Sequence, residues 1–414
     1  MDKKNRILCL LLSIVLCMTI LSGCYDNNEI EDLAYVIAIG IDEGDSNNFN
    51  LTFQTAVPKS IAGGGSSGGG GGGQSTVITS FKTDNFLSGL KKANQYLNRK
   101  INLSHTKIIV VSEDLAKKGV TAFLNGLQKN IEIRPDVNII VSSDGAKKYL
   151  ESIESKLSTN PAKYYALLFK SYETDFLVPD TQLEDYLYRA KNYTTQPVAI
   201  YTGIDKDINE ASKPSSGGEG SESNGDSKKS GEESKKSGES EKKPMSIEGL
   251  AVFQMDKMVG QLDSKESTLF ALLTGSKNKN IEVVDPFNSK FNVLGNVTKE
   301  NTSTTKVKID KGKPKIYINL KLNVDVKAVQ SDNDYNDPEK AAKLKVAYED
   351  YLNNGLKALL EKATGKFRSD IFGFGRLAKQ SFLTKDEWEK AKWQEIFPLS
   401  EYYLNVDVEI MRQG

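Results

Sequence analysis

KIYINLKLNVDVKA, residues 315–328, alternates without a break: Ile316, Ile318, Leu320, Leu322, Val324 and Val326 share one side, and mostly polar residues share the other. Successive side chains of a strand leave opposite faces, so this period of two predicts one long strand with a single buried face. Upstream, Val293 to Thr298 and Thr304 to Ile309 read as strands. Downstream, Asp337-Pro338 opens a helix, because proline at the first helical position gives up only an N–H that has no partner there. Apolar residues then recur every three or four positions, at Leu344, Tyr348, Leu352, Leu356, Leu359, Ala363, Phe367, Ile371, Phe374, Ala378 and Phe382. That register predicts a single helix of about 40 residues, with Gly365, Gly373 and Gly375 as the points where it bends or is interrupted. A short helix around Asp386 to Ile396 and a last strand, Tyr403 to Met411, complete this region.

The N-terminal half mixes element types. Leu33 to Ile41 and Asn50 to Val57 read as strands, Phe86, Leu90, Ala93 and Leu97 mark one face of a helix, and KIIVVS (107–112) reads as a buried strand. A helix near Val120 to Lys129, a strand at Val137 to Val141, and helices at Ala146 to Ile153, Pro161 to Tyr172 and Gln182 to Ala190 continue the pattern. Further strands follow at Pro197 to Ile204, Ile247 to Gln254 and Lys257 to Leu262, with a helix at Lys265 to Thr274. The fold class expected from this is α+β: three mixed α/β domains, each a largely antiparallel or mixed sheet flanked by helices. They would span 24–190, 191–280 and 281–414, after a leader at 1–23.

Two low-complexity stretches punctuate the chain. GGGSSGGGGGG (63–73) lies between two alternating segments and reads as an enlarged hairpin tip. It satisfies both G-x-S-x-G, at Gly64, Ser66 and Gly68, and G-x-G-x-x-G, at Gly63, Gly65 and Gly68. A nucleophile elbow needs a strand-to-helix turn, and a dinucleotide loop needs a helix at its third glycine. Strand-like residues follow here, so neither chemistry is expected. Ser212 to Lys243 contains no aliphatic or aromatic residue and carries seven basic and seven acidic side chains, so it has nothing to bury. It reads as a disordered insertion inside the middle domain with a reach of about 30 Å, tolerable because loop-closure cost grows only logarithmically with length.

The first residues carry Lys3, Lys4 and Arg6, and Ile7 to Leu21 are then free of charge before Ser22, Gly23 and Cys24. A basic head, an apolar middle and small residues at the end are the three parts of a secretory signal, and the apolar run is short of the roughly 20 residues a membrane span needs. Leu21-Ser22-Gly23-Cys24 also matches the bacterial lipobox, so Cys24 is expected to carry diacylglycerol and to become the first residue after cleavage. Cys9 and Cys17 lie in the leader, which leaves Cys24 as the one thiol and allows no internal disulfide. Cleavage leaves 52 basic and 54 acidic residues, a near-neutral chain that gives no argument for a nucleic-acid partner.

Catalytic chemistry has little to draw on. His105 is the sole histidine, which rules out a histidine-rich metal site, and it is expected to be a hydrogen-bonded structural residue. No carboxylates recur at a spacing that marks an acid–base pair. Trp388 and Trp393 read as core packing against the last strand rather than a ligand stack.

These residues resemble a family. Gly23-Cys24-Tyr25-Asp26, Glu29-Ile30 and Ala38-Ile39-Gly40-Ile41-Asp42 are similar to the mature start of the Ger(x)C spore germination proteins, the C subunits of nutrient germinant receptors. The likeness continues through Leu103-Ser104-His105, Glu132-Ile133-Arg134, Ala251-Val252-Phe253, Val259-Gly260, Ser369-Asp370-Ile371-Phe372-Gly373-Phe374-Gly375 and the tryptophan-containing stretch to Phe397. Tyr25 stands where the family usually has tryptophan, and the charged insertion is longer than the family leads one to expect. The resemblance implies a three-domain, membrane-anchored lipoprotein on the outer face of the spore inner membrane. It would work with the integral membrane A and B subunits of the receptor, without enzymatic activity, cofactor or metal. A solute-binding lipoprotein of an uptake system is the alternative, but that class has two similar lobes and this chain shows no such repeat. A surface hydrolase lacks a nucleophile and base.

Overall fold

The computed structural model describes residues 32–45, 48–57, 76–130, 132–153, 161–175, 181–204, 245–275 and 278–411, with Lys4 and Ile7. Cys24, the glycine run 63–73 and the charged stretch 212–243 lie outside the described residues.

Strand β1 (Leu33–Glu43) is the axis of the larger sheet, pairing antiparallel with β2 (Phe49–Ala56), which pairs antiparallel with β3 (Thr76–Thr83). On its other side β1 runs parallel to the short β4 (Lys100–Asn102) and to β5 (Ile108–Ser112), followed in parallel by β6 (Asn138–Ser142) and β7 (Val198–Ile204). The sheet ends with β8 (Met245–Gln254) and β9 (Lys257–Asp263), both antiparallel to their neighbours. Nine strands result.

Helices cover both faces of this sheet. Ile39, Ile109, Val111, Ile139 and Val141 pack in one core with α1 (Phe86–Leu97), α2 (Glu113–Lys118), α3 (Thr121–Gln128) and α6 (Leu183–Lys191). Ala38, Ile108, Val110, Ile140 and Ile200 pack on the reverse face with α4 (Ala146–Ser152) and α5 (Pro161–Asp175). Burial on both faces is why KIIVVS is apolar at consecutive positions.

The second sheet has five strands. β10 (Asn278–Asp285), β11 (Asn288–Lys299), β12 (Thr304–Asp310) and the seventeen-residue β13 (Lys313–Val329) are antiparallel neighbours, and β14 (Glu401–Met411) returns parallel to β13. α7 (Ser264–Thr274) and α8 (Pro338–Glu361) cover one face. The Asp337 side chain caps α8 by accepting from the N–H groups of Glu339 and Lys340, with Pro338 in the first turn. Tyr348 of α8 is fully buried, its hydroxyl 3.1 and 3.2 Å from the Ile281 and Val293 carbonyls. Gly355 lets α8 meet α7 closely, since a Cβ there would lie 2.6 Å from Leu269. The fold is thus mixed α/β, with both sheets flanked by helices.

Three expectations change. The strands assigned to a middle domain do not form a sheet of their own: β7 pairs with β6 across the 190/191 boundary, and β8 and β9 extend the same sheet. One face of these strands, through Val198, Leu250, Val252 and Leu262, belongs to the core of the C-terminal sheet, so the segment is a splice between two units. Nor is the long helix continuous. α8 passes into a π-helical turn, Lys362–Phe367, Arg368 adopts a left-handed conformation (φ 52°), and the chain reverses before α9 (Phe374–Lys379). Ile371, Phe374 and Ala378 keep helical spacing and are buried, but irregular backbone carries the chain between them. The helix expected near the end is likewise two pieces, α10 (Lys385–Ala391) and α11 (Trp393–Ile396), separated by Lys392 at positive φ.

Candidate functional site

The segment that stops the long helix also joins the two sheets. Asp370 has no solvent exposure, and its carboxylate gathers four donors. Oδ1 accepts from the N–H groups of Gly373 (2.9 Å) and Phe374 (3.1 Å), and Oδ2 accepts from Gly375 N–H (2.7 Å) and Trp393 Nε1 (2.9 Å). Burial pushes this carboxyl up to about 6, and the four hydrogen bonds pull the other way. The backbone can wrap this tightly because of its glycines. Gly373 sits at φ 78°, where a side chain would be strained, and a Cβ on Gly375 would lie 2.6 Å from both the Thr194 carbonyl and Trp393 Nε1.

The surrounding bonds reach the larger sheet. Ser369 Oγ donates to the Phe253 carbonyl (2.6 Å), Gln196 N–H donates to the Asp370 carbonyl (2.8 Å), and Gln254 Nε2 donates to the Arg368 carbonyl (3.2 Å). Gln196 Oε1 accepts from Met255 N–H, and Gln394 Nε2 donates to the Tyr193 carbonyl (3.0 Å). Gly260 of β9 is matched to the Phe367 ring, which a Cβ would approach to 2.4 Å. Trp388 and Trp393 are both buried and stack at 6.0 Å, so they do pack in the core, and Trp393 also holds the carboxylate.

Other motifs resolve into joints as well. Asp42 ends the Ala-Ile-Gly-Ile-Asp strand and caps α4 from far along the chain, accepting from Ala146 N–H (2.7 Å) and Lys147 N–H (2.9 Å); burial raises its carboxyl. Glu132 accepts from Leu103 N–H (3.0 Å), tying the Glu-Ile-Arg segment to Leu-Ser-His. His105 itself is exposed, its ring meets Tyr35 edge-on at 5.3 Å, and it makes no side-chain hydrogen bond among the described residues. Among the described residues no group of three or more His, Cys, Asp or Glu is placed to hold a metal ion, and no helix is long and apolar enough to cross a membrane.

The structure therefore brings Val259-Gly260, Ala251-Val252-Phe253, the Ser-Asp-Ile-Phe-Gly-Phe-Gly segment and Trp393 to one junction, and leaves Asp42, Glu132 and His105 elsewhere. The partner loop Tyr193 to Gln196 carried no signal in the sequence. The segment of 369–375 did: an aspartate followed by glycines three and five positions on suits a carboxylate collecting the N–H groups of a tight turn.

Residues 26–204 match the family model described as Spore germination protein N-terminal domain, and residues 248–414 match that described as Spore germination B3/ GerAC like, C-terminal. Spore germination protein KC of Bacillus subtilis (strain 168) is 25% identical over 408 residues, covering 97% of this chain and 94% of that protein. Spore germination protein A3 of the same organism is 28% identical over 146 residues, or 35% of this chain and 37% of that one. The crystal structure of the GerBC protein superposes with a TM-score of 0.54 at 15% identity, over 90% of this chain and 97% of the other, a likeness of fold.

Proposed function

We propose that this chain, which belongs to the Ger(x)C family of spore germination proteins, is a non-enzymatic lipoprotein subunit of a nutrient germinant receptor. It is held by diacylglycerol on Cys24 at the outer face of the spore inner membrane and acts beside integral membrane A and B subunits. The observation that carries this reading is where the shared motifs go. Ser369, Gly375 and Gly260 make bonds or close approaches from one sheet's unit to the other, and Asp370, Gly373 and Trp393 hold the turn that presents them, as a rigid coupling element requires. Two acyl chains supply stable membrane attachment where one gives marginal binding, and confinement beside a partner raises effective concentration without any new contact.

Cys24→Ala tests this. The variant should lose its lipid and fold normally, and spores carrying it should germinate slowly on nutrients, with recovery when a substitute membrane anchor is fused in its place. Wild-type germination by spores holding the unlipidated protein at normal abundance would refute the anchoring role. Turnover of a substrate by the purified chain would refute the non-enzymatic one.

A further inference from the structure

A cleft of about 520 Å³ opens where the two units meet, a size ordinary for a small-molecule site. One wall is α2, with Glu113 and Lys117; the floor is β9 at Val259 and Gly260; the opposite wall is Glu266 of α7 with Lys362 and Lys366 of the π-helical turn. Three lysines and three acids, Glu113, Glu266 and Asp263, thus line the cleft from both units. π-helical turns inside helices recur at functional sites, and this one presents two of the lysines.

The charges are unequally committed. Glu113 bonds Lys117 at 2.8 Å and also accepts from the Tyr201 hydroxyl at 3.1 Å. Glu266 holds Lys362 through both oxygens and also accepts from Asp263 N–H at 3.0 Å, closing the box that caps α7. Asp263 in turn accepts from Glu266 N–H. Each acid keeps a fixed neutral partner if its lysine turns away, and Lys366 is exposed and forms no ion pair among the described residues. An entering anion can share all three ammonium groups and orphan no carboxylate. An entering cation would have to displace lysines from both glutamates.

We propose that this cleft binds a small molecule bearing two or more negative groups, carboxylates or phosphates, through Lys117, Lys362 and Lys366, and that the bound molecule bridges the two units. The inference stands apart from lipidation and from the receptor reading. Calorimetric titration of the full mature chain carrying Cys24→Ala, with citrate in one arm and pyrophosphate in the other at constant ionic strength, tests it. One saturable site is expected with at least one probe, and the responding arm identifies the anion chemistry. Lys366→Glu should weaken binding by at least about tenfold, and Lys366→Gln by less. Glu113→Gln should tighten it by releasing Lys117, and Lys390→Glu on α10 should change nothing. Absence of saturable binding by both probes, or equal affinity in Lys366→Glu and the parent, overturns the proposal. Melting temperatures without anion should match across the lysine variants, which separates lost binding from lost folding.

Discussion

The strands of the two sheets are dressed differently. In the larger sheet β5 is buried at every position, with Ile109 and Val111 in one core and Ile108 and Val110 in the other. In the C-terminal sheet β13 buries only its even positions from 314 to 326, and its other face carries Tyr317 stacked on Tyr403 at 4.8 Å and Asn319 bonded to Asn405 at 2.7 Å. Parallel strands are joined by crossovers that lay helices on both faces, whereas an antiparallel meander can be roofed on one side and left wet on the other. Connectivity therefore dictates how the apolar residues are spaced.

The sharpest way to break this contrast is to place a charge on each face. In β5, Ile109→Asp and Val110→Asp should both cost several kcal/mol, because either side is sealed. In β13, Leu320→Asp should cost as much, while Lys321→Asp should cost about 1 kcal/mol or less, through repulsion from Asp407 opposite it. Chemical denaturation of the four variants measures this; a mild Val110→Asp or a severe Lys321→Asp would contradict it.

Next in size is the junction. Asp370→Asn puts an amide N–H₂ among four donors, and at least two of them lose an acceptor while buried, a cost of about 2–4 kcal/mol. Because the turn these bonds hold presents the groups that reach the larger sheet, Ser369 Oγ and the Asp370 carbonyl, the variant should unfold in two resolved transitions where the parent shows one. A single transition at the parent temperature would show that Asp370 does not couple the sheets.

A smaller effect follows from its titration. The folded carboxyl sits at about 6, above the usual aspartate value, so the native state holds a proton that the unfolded chain has released. The stability from that proton is fully present below about pH 4 and disappears as pH rises through about 6. The Trp393 indole N–H resonance should shift with a midpoint near 6, and this shift should vanish in Asp370→Asn. The smallest expected effect is at the charged stretch: replacing 212–243 by a few Gly and Ser residues should leave the melting temperature unchanged, and a large fall would mean that it makes native contacts.

Element by element, legibility followed burial. β13 and the Asp337-Pro338 helix start were readable because their signals are local. β10 was not, since its inward face runs Lys279, Ile281, Val283, Asp285 and only its middle pair is apolar. Burial lowers the Lys279 amine to about 8, and Asp285 is held by Ser331 and Asn333, so these polar groups sit inside only because neighbouring segments accommodate them. β4, three residues long, is too short to show a period. At the junction, Asp370 and its glycines stood out as a motif, whereas Thr194 serves through its backbone and Gln196 and Gln254 through backbone and single side-chain amides, whose partners nothing near them in the sequence announces.

By itself the sequence determined the elements whose stability is local: a strand by its period of two and a helix start by its cap. Tertiary structure alone decided which strands lie side by side, and so that β7 to β9 extend the first sheet while lending one face to the second. It also decided where the long helix stops. Its apolar spacing runs on past Phe367, and what ends it is a buried carboxylate that satisfies three N–H groups of a turn and the indole of Trp393, an arrangement whose free energy comes from a contact 23 residues along the chain that forms only when the C-terminal unit has folded.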